Sequence, residues 1–420
     1  RDAVIKGELP LHMPDGSALR NVTDRYLALP DVMLVPQMVL LRFMDVGRFI
    51  LANTLFLYTL GVLGLLWFWR RYSLSPLVFA VLLLLFNLNG HILSHFSVGH
   101  VNYGGYFLFP WLLALILVLL ESTPERRPGW GWVAAFAFIQ FFILLNGSFH
   151  QYIWMLMLLG LVGLFSWKHL PLVFKGIVFT GLLGAFRLLP PALELGKFDN
   201  EFLGGYPSVG DLWTALTSIR LPADSLSFRS ILTTLGWWEF DLYVGLVGAA
   251  FLIVFGLYYW GKNRGTREGY PELILPVVLL FAFSIGRVYE AIHAVPIPLL
   301  NGERVSARLI IVPFVVILLL GSVYFQRWLE THARSTIARW SLAVLLLPLL
   351  NDLYAHLRAW RVNVAVSAFP NTPTDLAIKV VKNHVDAPYT TMLWIGGAVT
   401  LLTAVFLITM AVIERRKRQV

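Results

Sequence analysis

Between Phe49 and Ile413 the sequence is a succession of long apolar runs, and every second break between them is a short basic loop. An apolar run of roughly 17 to 25 residues is what a helix needs to cross a hydrocarbon core about 30 Å thick. The composition agrees: 58% of the 420 residues are hydrophobic and 14% are charged, which leaves too little polar surface to cover a soluble globule. Eleven spans are expected, at 48–69, 74–89, 105–121, 130–147, 150–167, 170–190, 240–260, 272–286, 307–325, 337–352 and 389–413. None shows the period-two alternation of a barrel strand, and backbone groups in lipid must be satisfied within a segment, so the runs are helices. The expected fold class is all-α, a polytopic transmembrane helical bundle.

Charge sets the orientation. Sixteen of the 33 Lys and Arg fall in Arg70-Arg71, Arg126-Arg127, Lys168 with Lys175, Lys262 with Arg264 and Arg267, Arg327 to Arg339, and the tail Arg415 to Arg418. If eleven spans alternate, all six segments lie on one side, and the positive-inside bias makes that side cytoplasmic. This accounts for the net charge of +9 without nucleic acid as a partner. The C-terminus is then cytoplasmic and the N-terminus outside. Residues 1–46 hold no segment able to export them, so a further helix before Arg1, or a cleaved signal, is expected, with twelve spans in all as the first option.

The expected organisation follows. An outer loop, 1–46, precedes helices one to six within 47–190. An outer loop at 191–238 contains the amphipathic stretch Val209 to Ile219, expected to lie in the interface, and Trp237-Trp238 as headgroup anchors. Helices seven to ten occupy 239–352, an outer loop 353–388, and the last helix with its basic tail 389–420.

Four polar constellations lie on the expected outer side. His91 and His95 are one helical turn apart, with His100 close behind, a spacing that suits proton exchange or a divalent metal ion held by His91 and His95. The ordinary alternative is a loop packed through imidazole hydrogen bonds. A second polar knot, Asn146 to Gln151, is placed to face the first. Glu239 and Asp241 sit beside paired tryptophans at the start of the seventh span, either as acids favoured by the helix dipole or as a general base or metal ligand at the membrane surface. Arg304 and Arg308, four apart, would offer two guanidinium groups on one helix face, suited to a phosphate or to snorkelling toward lipid headgroups. Arg187 and Arg287 would extend that patch. Zero cysteines exclude disulfides and thiolate chemistry, and no nucleotide-binding Gly loop, Gly-x-Ser-x-Gly elbow or His-Glu-x-x-His motif occurs.

The order of these motifs resembles a family. The segment Ile5 to Leu11, Gly90 to His100, Asn146 to His150, Glu239 to Gly245 and Arg304 to Arg308 together are similar to bacterial members of the C-type membrane glycosyltransferase superfamily, over nearly the whole chain. The resemblance implies a bacterial plasma (inner) membrane as the setting and transfer of a sugar from a polyprenyl-phosphate carrier to an acceptor on the outer face, with membrane lipid and the lipid-linked sugar as partners. It implies an acid in the first outer loop, expected upstream of Gly7, for which Asp2 is the nearby substitute and Asp24, Asp31 and Asp45 lie downstream. Arg304 and Arg308 would hold the carrier phosphate, and Glu239 or Asp241 with His95 or His100 would serve acid-base or metal chemistry.

Two other classes stay open. One is a non-catalytic scaffold subunit of a larger membrane complex, with the Gly181 to Gly184 face and the 353–388 loop as docking candidates. The other is a lipid or solute transporter, which would carry charges at mid-membrane and interrupted helices in matched halves.

Overall fold

The computed structural model describes residues 1–13, 24–123, 127–194, 201–227, 234–266, 269–294, 302–333, 335–368 and 383–418. About 75% of the described residues are helical, and the strands among them are Ser225–Ser227 and Thr234–Gly236, paired antiparallel. The all-α reading therefore holds.

Seven segments among the described residues are long and apolar enough to cross a membrane: Val46–Arg71, Pro76–Ser97, Val101–Leu120, Gly245–Lys262, Ser306–His332, Leu342–Ala359 and Ala387–Lys417. The pair Leu170–Leu183 and Ala185–Ala192, bent by 70°, brings this to eight if it is one span. Three more helices, Trp130–Leu145, Phe149–Phe165 and Pro271–Ser284, stand where spans are expected but are shorter. At 1.5 Å per residue the last is only about 21 Å long, well short of a 30 Å core. Proline opens several of these helices, at Pro76, Pro171 and Pro271, where its missing N–H leaves no helical bond unmade.

The chain divides into two compact units, each assembled from separated stretches. The first comprises Arg1–Gly61, Val101–Asp199 and Pro373–Val420. Its long C-terminal helix, Ala387–Lys417, packs on Ala185–Ala192, Trp130–Leu145 and Leu170–Leu183. A buried amide chain ties this unit together: Gln37 donates to Asn53 Oδ1, and Asn53 donates to Asn146 Oδ1, both at 2.9 Å. Asn146 in turn donates to Ser148 Oγ at 3.1 Å.

The second unit comprises Val62–His100 and Asn200–Thr372. Its axis is the helix Ile311–His332, which packs on Pro76–Asn87 and on a π-helical stretch, Leu252–Tyr258. The wider π turn brings Gly256 against this axis, where a Cβ would overlap Ile317 Cγ2 and lie 3.0 Å from the Ile317 carbonyl oxygen. An apolar cavity of about 190 Å³ opens here, lined by Leu252, Ile253 and Leu257 with Ile310, Phe314 and Ile317. The amphipathic stretch forms the helix Val209–Thr217, capped by Ser208, with Leu212 and Ala215 buried and Val209 and Trp213 exposed. Trp237 departs from its expected anchor role, because it is enclosed by protein and Arg220 sits 5.7 Å over its ring. The tenth apolar stretch also shifts: its helix Leu346–Ala359 runs on past residue 352, carrying Asp352 and His356 with it.

Candidate functional site

Four segments of the second unit converge on one buried polar cluster. Gly90–Ser97 is a short helix whose N-cap, Asn89, accepts from the Ile92 N–H at 3.3 Å. Its first residue is glycine because the chain passes against Asp241: a Cβ there would run into the Asp241 carboxylate. The Gly90 N–H donates to the Tyr243 carbonyl at 2.9 Å, which fixes this helix to the 239–243 segment.

Within the helix, Nδ1 of His95 donates to the His91 carbonyl at 2.8 Å. That commitment sets the tautomer and leaves Nε2 as the nitrogen that can exchange a proton. Nε2 lies 3.8 Å from Glu239 Oε2. The three imidazoles form a file, with ring centroids 4.5 Å apart for His91 and His95 and 5.5 Å for His95 and His100.

Glu239, only 7% exposed, is the centre of the cluster. Arg308 donates to both of its oxygens, Nε to Oε2 and Nη2 to Oε1, each at 2.6 Å. The Trp238 indole adds a bond to Oε1 at 3.2 Å. Burial alone would raise the carboxyl's pKa, but the Arg308 guanidinium, with His95 behind it, outweighs burial and holds Glu239 well below the usual carboxylate range. Arg308 also approaches Glu303, Nη1 to Oε1 at 3.6 Å. Two carboxylates thus face one guanidinium.

Asp241 faces a different partner. It accepts from the Tyr243 N–H at 3.0 Å and from His356 Nε2 at 2.9 Å. Both side chains are fully enclosed, and the His356 ring stacks on Tyr243 at 4.7 Å. Burial, with Asp352 and Asp241 nearby, pushes the Tyr243 phenol up to about 12.

The structure thus joins Glu239, Arg308 and His95, with His91 and His100 alongside, and places Asp241 in a second pair. It separates the two arginines. Val305 is extended, at φ −127 and ψ 90, and the 3-10 helix starts only at Ser306, so Arg304 and Arg308 do not share a helix face. Arg304 instead belongs to a strand-like contact, its carbonyl accepting from the Leu203 N–H at 2.8 Å. Gly205 permits this close approach, since a Cβ would lie 2.8 Å from Gly286 Cα. Arg287 is exposed on the helix Gly286–His293. Arg187 belongs to the first unit, where its guanidinium donates to the carbonyls of Leu27, Leu29, Pro30 and Val32 at 2.9 to 3.2 Å. Those donors hold a loop and are committed away from any phosphate.

The remaining acids have local duties. Asp45 caps the helix Val46–Arg71 through the Arg48 N–H at 2.8 Å. Asp31 lies 3.9 Å from His150. Asn146 to Gln151 belongs to the first unit.

No family model, no curated protein and no solved structure matches the chain.

His356 and Glu303 escape a reading of the sequence. His356 falls beyond the tenth apolar run, and only its spacing of four from Asp352 signals a helical face there. Glu303 is five residues before Arg308, a spacing that no regular element brings together.

Proposed function

We propose that this protein is a multi-spanning membrane transferase that moves a sugar from a polyprenyl-phosphate carrier to an acceptor hydroxyl. The observation that carries this reading is the Glu239 carboxylate, buried, held ionised in the fork of Arg308, and 3.8 Å from His95 Nε2.

A fixed anion of this kind stabilises positive charge growing on the anomeric carbon as the sugar leaves its phosphate. The acceptor oxygen forms the new bond to that carbon, its proton passes to Glu239 or His95, and the electron pair of the broken bond departs on the carrier phosphate. Glu239 and His95 are the groups in contact with the reacting atoms. Arg308 positions Glu239, and its engagement by two carboxylates weighs against a direct role on phosphate. Arg304 is the arginine assigned to that phosphate. The apolar cavity against the π-helical stretch suits part of an isoprenoid tail. In this reading the three shorter helices and the bent pair complete eleven crossings of a bacterial plasma membrane. The basic loops and the C-terminus face the cytoplasm.

A second reading rests on the same cluster. Both Glu239 oxygens accept from Arg308, and one accepts from Trp238 as well, a closed arrangement that suits a structural pin in a non-catalytic scaffold subunit. The two separate in one assay. The full chain in lipid nanodiscs is given a polyprenyl-phosphate carrier bearing a radiolabelled sugar together with candidate acceptors, and label transferred to the acceptor is counted. Turnover that falls at least about 100-fold in Glu239→Gln and His95→Ala, the scale of losing a general acid or base, supports the transferase. No turnover in the unaltered chain, with no carrier-dependent rise in melting temperature, overturns it in favour of the scaffold.

A further inference from the structure

The first unit holds a second convergence of ligating groups, remote in sequence from the Glu239 cluster. Residues 11–13 and 24–26 run antiparallel: the Met13 N–H donates to the Asp24 carbonyl at 2.8 Å and the Tyr26 N–H to the Leu11 carbonyl at 2.9 Å. This ladder pairs His12 with Arg25, the residue next to Asp24. Asn383 then brings in a third segment, its Oδ1 accepting from the Leu11 and His12 N–H groups, both at 3.2 Å, and its Nδ2 donating to the Leu9 carbonyl at 2.9 Å.

The next residue, His384, stacks its ring on His12 at 3.9 Å and approaches Asp24 Oδ2 with Nδ1 at 3.6 Å. One nitrogen from each histidine and one oxygen from Asp24 all lie within 4.8 Å of one another, the one such three-ligand grouping among the described residues. A second observation points to a ligand. His12 is only 8% exposed, and its Nε2 is enclosed with no hydrogen-bond partner. A buried imidazole nitrogen without a partner costs free energy unless something else binds it.

We propose that His12, Asp24 and His384 form a binding site for a divalent transition-metal ion, zinc by preference. Two imidazoles and a carboxylate are a donor set that zinc accepts, with a fourth position open to water or another ligand. Ligands about 2.0–2.1 Å from a tetrahedral ion stand roughly 3.4 Å apart, so the three atoms close up by at most about 1.4 Å on binding. His384 is the half-exposed member of the three. The surrounding shell is already ordered: Arg25, next to Asp24, is paired with Asp386 at 2.7 Å and with Glu194 at 2.8 Å. A bound ion clips together three segments separated by up to several hundred residues of sequence. This proposal is independent of the transferase reading and of the His91 and His95 pair.

The test uses the full chain, purified in detergent with any histidine tag removed and stripped of metal, titrated with zinc by calorimetry and with cobalt by visible absorption. The expected result is one equivalent of zinc and a tetrahedral cobalt spectrum. His384→Ala and Asp24→Asn, chosen because neither residue is a core side chain, should each weaken binding by at least roughly 100-fold, the upper end of what losing even an outer-shell partner costs. Their metal-free melting temperatures should match the parent. Absence of a stoichiometric zinc site in the parent overturns the proposal. So does a site whose affinity is unchanged in both variants, since the ion would then sit elsewhere, for instance on His91 to His100.

Discussion

Arg308 grips Glu239 from two directions, Nε and Nη2 each 2.6 Å from a different carboxylate oxygen, with both side chains mostly withdrawn from solvent. Such a pair contributes little beyond what a well-packed apolar pair would, but breaking it by removing one partner strands the other as a buried charge. Arg308→Ala is therefore expected to destabilise the second unit by about 3–5 kcal/mol. The double variant Glu239→Gln with Arg308→Met should recover most of that loss. Denaturant unfolding in detergent, followed by tryptophan fluorescence, measures both. A single Ala variant as stable as its parent would show that the fork is not formed.

Acid should reach this pair late. The folded carboxyl of Glu239 titrates below its unfolded value of about 4.3, so its stabilisation is fully present above that value and is lost as pH falls through the folded one. Asp386, hydrogen-bonded by Arg25 and lowered for that reason, acts in the same direction. Stability is expected to be flat from neutral pH down to about 5 and to decline below it, with the decline in Glu239→Gln shallower by about one proton. Unfolding midpoints collected across pH 3 to 7 decide this, and an identical slope in the variant would remove Glu239 as a source.

The fold was largely legible in the sequence because burial in lipid imposes a long, unmistakable period on each segment. Three helices came out short for an equally physical reason: apolar runs at 130–147, 150–167 and 272–286 include cap and loop residues that the helix itself does not use, as Asn146 shows by turning its side chain to Asn53 and Ser148. The site was legible in part. His91 and His95 lie on a true helix, so their spacing held meaning, whereas Arg304 and Arg308 straddle an extended residue and theirs did not. Partners such as Glu303 and His356 meet Arg308 and Asp241 only through tertiary packing, which no local pattern encodes.

Arg187 offers a test of the first unit. Its guanidinium is 1% exposed and serves four carbonyls between Leu27 and Val32. Arg187→Met keeps the length of the side chain and strands those acceptors, each worth about 1–3 kcal/mol when buried unsatisfied. The expected outcome is a loss of at least about 3 kcal/mol with new protease cleavage between residues 26 and 33. Uncut chain under conditions that cleave an unfolded control would contradict the assigned role.

Two glycines of one membrane segment should respond in opposite ways. Gly256 lies in the π-helical stretch with no room for a Cβ, which would overlap Ile317 Cγ2 and press on the Ile317 carbonyl; Gly321 Cβ space is likewise closed by the Gly256 backbone at 3.1 Å. Gly261, one and a half turns on, has nothing within 4 Å of its Cβ position. Gly256→Ala should therefore push the helix Ile311–His332 outward and cost about 1–3 kcal/mol, the usual penalty of overpacking. Gly261→Ala should be neutral or stabilise by up to about 1 kcal/mol, because alanine is the better helix former and nothing opposes it. Melting temperatures of the two variants in the same detergent give the comparison, and because both substitutions add one methyl group, the difference in sign isolates packing from composition. If Gly256→Ala melts with its parent, the π-helical contact with the central helix is looser than the geometry requires.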